Sequence, residues 1–370
     1  MADFDPNNLV NQYIANLVPY HPGKPIDELV REKGIPAERI AKLASNENPL
    51  GMSPKARAAL ESALGELHRY PEQYNLIQAI AAHTHTKSEQ VVLGNGSNDV
   101  LDLIARTFLN EGAEAVSSQY AFAIYQIATQ SAGARNIIVP AKQYGHDLAA
   151  MQKAIMPQTK VVWIANPNNP TGTFEPYAAV KQFIESVPPE VIIVLDEAYY
   201  EYLPETSRVN TVEWLAEHPN LIIVRTFSKI YGLAGLRVGY GLASPEIANL
   251  MNRVRHPFNV NIAAIAAATA ALTDYAFIVK TLAVINDGRE QLLKGLNKLG
   301  LECLPAYGNF VTFRLQDADT AATVNEHLLK QGVIVRPLAG YAMPEFLRVT
   351  IGLPVENERF LSVLAAFQAV

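Results

Sequence analysis

Apolar residues in the middle of this chain come in short, unbroken runs rather than in alternation. The clearest are QVVLG at 90–94, KVVWIAN at 160–166, VIIVLDEA at 191–198, LIIVRTF at 221–227 and RVGYGLA at 237–243. A strand with one face in water alternates apolar and polar side chains. A strand covered on both faces does not, and two covered faces are the mark of a parallel sheet flanked by helices. Between most of the runs lie segments with helical spacing, such as NDVLDLIARTFL and YAAVKQFIESV. The pattern predicts an α/β fold with a large, doubly wound, mostly parallel-sheet domain over residues 50–270.

Beyond that point the pattern changes. DYAFIVKTLAVINDGREQLLKGLNKLG predicts one long helix. FVTFRL, VIVRPL and FLRVTIG predict short strands, interleaved with the helical segments DTAATVNEHLLKQG and ENERFLSVLAAFQ. This mixture predicts a smaller α+β domain over residues 271–370. Residues 1–49 are rich in Pro, Asn and polar side chains and are expected to pack on the small domain or on a partner chain. The longest apolar run, IAAIAAATAAL from Ile262, falls short of the roughly 20 residues that span a bilayer and predicts a buried helix.

Composition narrows the classes. A chain of 370 residues with 49% hydrophobic and 18% charged residues suits two globular domains with a large core. A net charge of -6 argues against a general nucleic-acid or acidic-membrane binder, yet leaves room for a local basic pocket that takes a small anion. The single cysteine, Cys303, excludes an intrachain disulfide. Together with an N-terminus lacking the basic and apolar regions of a signal peptide, it favours the cytoplasm. No metal site is expected. His83 and His85 stand two residues apart with no cysteine or carboxylate cluster beside them. His21 and His256 are read as structural, and Trp163 and Trp214 as core.

Ligands of an open parallel sheet bind beyond the carboxyl ends of its strands, so the residues that follow each apolar run carry the chemistry. After VVL comes GNGSND. Its glycines permit a tight turn, and Ser97 and Asn98 can open a helix toward an anion. It matches neither the dinucleotide fingerprint nor the P-loop. After VVWIA comes NPNNPTG, a proline-stiffened loop that holds an amide in place. After VIIVL comes Asp196, a carboxylate at the end of a buried strand, where charge needs compensation. An arginine partner is one reading; a proton held on a heterocyclic nitrogen is the other. Tyr199 follows three residues later. After LIIVR come Thr226, Ser228 and Lys229, and eight residues beyond the lysine comes Arg237, whose fork suits phosphate. Each feature alone is weak. Together they describe a ligand with a phosphate, a ring nitrogen, a ring oxygen and a carbonyl that a lysine can capture, which is pyridoxal phosphate.

These stretches also carry a resemblance. PYHPGKPI from Pro19, LASNENPLG from Leu43, RYPE from Arg69, GNGSND from Gly94, ANPNNPTG from Ala165, DEAYYEY from Asp196, RTFSKIYGLAGLRVGYG from Arg225 and LRVTIG from Leu347 cover nearly the whole chain. In that order they resemble the fold-type I aminotransferases, and within them the histidinol-phosphate aminotransferases. The resemblance implies that Lys229 captures the cofactor carbonyl and that Asp196 pairs with the pyridine nitrogen. Tyr199 and Asn169 are implied at the ring oxygen. Gly96, Ser97, Asn98, Thr226, Ser228 and Arg237 are implied around the phosphate, and Tyr70 as a residue reaching it from the other subunit of a homodimer. Phe122, with Tyr120 as competitor, is implied to stack on the ring. Arg348 is implied to grip a substrate carboxylate, Tyr20 and Arg336 to receive a distal anion, and Asn46 to contact substrate. The expected reaction is transamination of histidinol phosphate with 2-oxoglutarate in histidine biosynthesis. An aromatic amino-acid aminotransferase, a threonine-phosphate decarboxylase and a non-catalytic regulator of the same fold are the alternatives.

Overall fold

The computed structural model describes residues 4–6 and 9–368. Part of the N-terminal stretch read for signal character therefore lies outside the described residues. Among the described residues twelve strands form three sheets: β1 (Ala41–Lys42), β2 (Val91–Gly94), β3 (Glu114–Ser118), β4 (Arg135–Val139), β5 (Thr159–Ala165), β6 (Ile192–Asp196), β7 (Leu221–Thr226), β8 (Gly239–Leu242), β9 (Phe310–Arg314), β10 (Val333–Ile334), β11 (Arg336–Pro337) and β12 (Phe346–Thr350).

The large sheet has seven strands in the order β2-β8-β7-β6-β5-β3-β4. The steps from β7 to β4 are all parallel. β5, β6 and β7 lie in its centre, and most of their side chains are fully buried, including Val161, Trp163, Ile193, Leu195, Ile222 and Val224. Helices cover both faces, and two separate apolar clusters result, one on each side of the sheet. The unbroken apolar runs follow directly from this double burial.

Two features depart from the sequence reading. β8 is antiparallel to both its neighbours, β2 and β7. Its run RVGYGLA is apolar for the same reason as the others, because burial on both faces carries no information about direction. β3 (EAVSS) and β4 (RNIIV) were not recognised. β3 hides Glu114, Ser117 and Ser118 in the protein, and β4 is an edge strand that leaves Arg135 and Ile138 exposed.

The reversal at β8 matters for function. Because β8 runs back against β7, the loop between them begins and ends at the carboxyl rim of the sheet. Residues 227–238 stay at that rim, and Arg237 returns close to Ser228.

Beyond residue 270 the long helix and the short strands lie where the pattern puts them, except that VIVRPL divides into β10 and β11, which belong to different sheets. A helix of 24 residues runs from Tyr275 to Lys298. β11, β12 and β9 form an antiparallel sheet. β1, from the N-terminal segment, pairs in parallel with β10. The short helix Ile26–Lys33 buries Leu29 against Ala44, Leu329 and Ile334. The run from Ile262 is a helix, Ile262–Ala271, that buries Ala264, Ala267, Ala268 and Ala271 and leaves its other face partly exposed. Among the described residues no single helix is long and apolar enough to cross a membrane, and no group of three or more His, Cys, Asp or Glu side chains is placed to hold a metal.

Candidate active site

A cavity of about 270 Å³ opens at the carboxyl rim of the large sheet and is closed on its other side by residues from both ends of the chain. The rim supplies Ser97, Asn98, Asn169, Asp196, Tyr199, Thr226, Ser228, Lys229 and Arg237. The N-terminal segment supplies Tyr20 and Asn46, the start of a helix supplies Phe122, and β12 supplies Arg348. Three of the sequence-predicted positions stand elsewhere. Gly96 lies behind the rim, against Arg237. Arg336 lines an adjoining groove that shares Tyr20 with the cavity. Tyr70 is strongly exposed and stacks on Phe258 outside this cavity. Of the two competing aromatics, Phe122 lines the cavity. Tyr120 instead packs on Tyr144 and the cluster around Tyr341.

Lys229 reaches the cavity from just beyond β7, and its Nζ donates to the Ser45 carbonyl at 3.0 Å. Burial pushes its pKa down to about 7, helped by the Arg348 and Arg237 guanidinium groups and opposed by Glu47. A lysine is useful as a nucleophile or base only as the free amine. Here a large fraction is free at neutral pH.

Asp196 ends β6. Burial raises its pKa to about 6, while the Tyr125 hydroxyl, which donates to Oδ2 at 2.8 Å, and the Ala198 amide, which donates to Oδ1 at 3.1 Å, favour the carboxylate. Among the described residues no cation pairs with it. The arginine partner open at the sequence level belongs to the next residue. Arg225 Nε and Nη2 both donate to Glu197 Oε2, at 3.0 and 2.8 Å. Tyr177 and Thr211 complete that carboxylate, donating to Oε1 at 2.8 and 2.9 Å. Neighbouring residues on a strand face opposite ways, so Asp196 and Thr226 face the cavity while Glu197 and Arg225 lock the two strands together behind it.

Tyr199 and Arg348 form the far wall. The Asn46 amide donates to the Tyr199 hydroxyl oxygen at 2.9 Å, and burial pushes the Tyr199 phenol up to about 12. Arg348 donates to Asn169 Oδ1 through Nη1 and to the Ala44 carbonyl through Nη2 at 2.9 Å, over the Phe310 ring. Its Nε is buried without a partner, and burial lowers its pKa.

The opposite end is an anion cradle. The helix Ser97–Phe108 points its first turn into it, and such an N-terminus favours negative charge. Arg237 Nη1 lies 3.4 Å from Ser228 Oγ and donates to the Ala234 carbonyl at 3.0 Å. Two glycines permit this closeness. A Cβ on Gly96 would sit 2.2 Å from Arg237 Nη2, and one on Gly239 would sit 2.5 Å from the Ser97 amide nitrogen. Gly96 also has φ +84, a region L-residues with a Cβ avoid.

A half-neutral lysine, an uncompensated buried carboxylate, a phenol beside an amide, and an anion cradle now face one another. The model of the family described as aminotransferase class I and II matches residues 38–364. The chain belongs to that family. Among its relatives, the histidinol-phosphate aminotransferase 1 of Dechloromonas aromatica is 60% identical over 352 residues, covering 95% of this chain and 96% of that one. A histidinol-phosphate aminotransferase 2 of Pseudomonas aeruginosa is 53% identical over 366 residues, 98% of each chain. Among solved structures, the histidinol-phosphate aminotransferase of Sinorhizobium meliloti in complex with pyridoxal-5′-phosphate superposes with a TM-score of 0.88 at 29% identity, covering 97% of this chain and 98% of that one.

The donors of this aminotransferase fit pyridoxal phosphate. The glycine-lined cradle suits a phosphate, the unpaired Asp196 suits a protonated ring nitrogen, and Tyr199 with Asn169 suits a ring oxygen. Tyr125 and Ser45 are among the residues of the aminotransferase site that were not singled out from the sequence. Tyr125 reads as a core aromatic, and only its position one helical turn beyond Phe122 hints at the same cavity. Ser45 acts through its backbone carbonyl, which side-chain chemistry does not reveal.

Proposed function

We propose that this aminotransferase transfers the amino group of histidinol phosphate to 2-oxoglutarate, giving imidazole acetol phosphate and glutamate, as a step of histidine biosynthesis. The observation that carries the reading is the pairing of that cradle with a second anion-binding wall across the cavity. Arg348 is buried there with a free Nε, and Arg336 lies over the Tyr20 ring at 5.4 Å at the edge. A substrate with its own phosphate needs such a second wall, and so does the carboxylate of glutamate. The names of the relatives support the same substrate.

Bound pyridoxal phosphate supplies a carrier for the amino group and a protonated ring that accepts electrons. Asp196 holds the ring proton. Ser97, Asn98, Thr226, Ser228 and Arg237 would hold the phosphate, with Gly96, whose own N–H is spent on the Gly94 carbonyl, making room for Arg237. Phe122 would stack on the ring, and Tyr199 and Asn169 would fix its oxygen. Lys229 would hold the cofactor's carbonyl carbon and, as the free amine, would take the proton from the substrate α-carbon. Arg348, Arg336, Tyr20 and Asn46 hold the substrate. The working unit is a cytoplasmic homodimer in which Tyr70 serves the partner's phosphate. The apolar groove beside Tyr70, which includes Ile262 and Ile265, supports that contact. The domain division is 50–270 and 271–370, with the segment before residue 50 packed on the smaller part or on a partner chain; within that segment the Tyr13 carbonyl instead accepts from Gln130 of the larger part.

The test is a half-reaction panel followed by the cofactor spectrum. Histidinol phosphate converts the cofactor to its amino form, and 2-oxoglutarate returns it. Faster turnover of phenylalanine, or release of CO₂ from threonine phosphate without any oxo acid, overturns the reading. Lys229→Ala is expected to abolish turnover.

A further inference from the structure

Tyr125 touches Asp196 yet has no part in the assignments above. Its side chain is fully buried. Its hydroxyl donates to Asp196 Oδ2 at 2.8 Å. Its ring lies flat on Trp163, with centroids 5.3 Å apart and planes within 2°, and meets Phe122 edge-on at 5.9 Å. Trp163 is fixed in turn, because its Nε1 donates to Thr129 Oγ1 at 3.2 Å. Tyr125 and Thr129 stand one turn apart on the helix Ala123–Ser131, so this helix holds both ends of the stack.

We propose that Tyr125 is a positioning residue for the aminotransferase reaction: its hydroxyl, held by the Trp163 platform, orients Asp196 and keeps it ionised toward the cofactor ring. The inference rests on the assignment of Asp196 to the ring nitrogen. A buried carboxylate is driven toward its neutral form, and a neutral acid holds a ring proton poorly. A hydrogen bond donated to the charged form counters that drive. Tyr125 cannot itself lose its proton in the working range, since burial and the adjacent Asp196 raise its pKa far above the ordinary phenol value. It is a permanent donor. The remaining groups around Asp196 differ in kind. Glu197, just beyond β6, is paired with Arg225 on the far side and adds a minor upward push on Asp196, and Tyr199 bonds Asn46. Lys229, Arg237 and Arg348 stand around the cavity.

Tyr125→Phe removes only the hydroxyl and keeps the stack. In cofactor-stripped protein, the Asp196 carboxyl followed by carbon-13 NMR, assigned by its disappearance in Asp196→Asn, should titrate about one pH unit higher in Tyr125→Phe than in the parent. In holoenzyme, the acid limb of the glutamate half-reaction rate should move up by a similar amount, with the rate recovering at alkaline pH. Trp163→Leu, which keeps the hydroxyl but loses the platform, should give a smaller shift in the same direction. An unchanged Asp196 titration, or a loss of rate uniform across pH, overturns the proposal. The NMR titration needs no substrate, so its outcome is separate from whether histidinol phosphate is the amino donor.

Discussion

Burial does opposite things to Lys229 and Asp196, and both effects serve the site. Lys229 falls from the ordinary 10.5 to about 7 because burial and two guanidinium groups disfavour its charge. The rate at which cofactor-stripped protein captures added pyridoxal phosphate should therefore rise through pH 7 and level off. Stopped-flow absorbance checks this, and a rate still climbing toward pH 10 contradicts it. Asp196 rises from 3.8 to about 6. A carboxylate whose folded pKa is raised destabilises the fold above that pKa and is relieved as pH falls toward the unfolded value. In stripped protein at pH 8, Asp196→Asn should thus stabilise the fold by up to about 3 kcal/mol, since each pKa unit is about 1.4 kcal/mol. The gain should shrink through pH 6 and vanish near pH 4, as urea unfolding would show. With cofactor present the order should invert, because ligand binding to the parent adds stability the variant lacks. Asp196 and Lys229 were legible from sequence because a charge at the end of an apolar run is conspicuous. Tyr125 was not, because a buried tyrosine looks the same whether its hydroxyl is structural or aimed at a carboxylate.

At the scale of elements, alternation along β6 and β7 divides labour between the two faces. Asp196 and Thr226 face the cavity; Glu197 and Arg225 tie the strands from behind. Breaking a buried ion pair from one side leaves an unpaired charge, which costs about 3–5 kcal/mol. Glu197→Gln should show a loss of that order in urea unfolding, while exposed pairs such as Arg69–Glu66 should matter little. The cradle makes a second prediction. Gly96→Ala puts a methyl where Arg237 Nη2 lies and strains a φ of +84. Cofactor affinity should drop by at least about tenfold in equilibrium titration, the effect of 1.4 kcal/mol. Much of the element pattern was legible: the central strands, the long helix and the strand-end chemistry all sit where apolar runs and helical spacing put them. β3 and β4 were hidden because EAVSS buries polar side chains and RNIIV lies at an edge. The direction of β8 was hidden because its apolar run reports burial alone.

At the scale of the whole molecule, the cavity is closed by residues from far apart in the chain, and Tyr70 lies outside it. If Tyr70 serves the partner's site, two crippled chains can repair each other. Mixing Lys229→Ala with Tyr70→Ala after exchange of subunits should restore activity, because a mixed dimer holds one site with both Lys229 and Tyr70. Random pairing puts intact sites at about a quarter of the total. No recovery beyond the sum of the separate variants would place Tyr70 in its own chain's site or in none. The closure by β12 has a further consequence, for the timing of biosynthesis. Arg348 closes the wall opposite the cradle, and the β2–β8 pairing that sets Ser97 against Gly239 joins segments almost 150 residues apart. Chains emerge from the ribosome at roughly 5–20 residues per second. The residues assigned to the cofactor have all been synthesised once Arg237 is reached, about a hundred residues before Arg348, so the nascent chain holds its full cofactor set well before the wall that grips substrate, and that wall is the last part of the pocket to be finished.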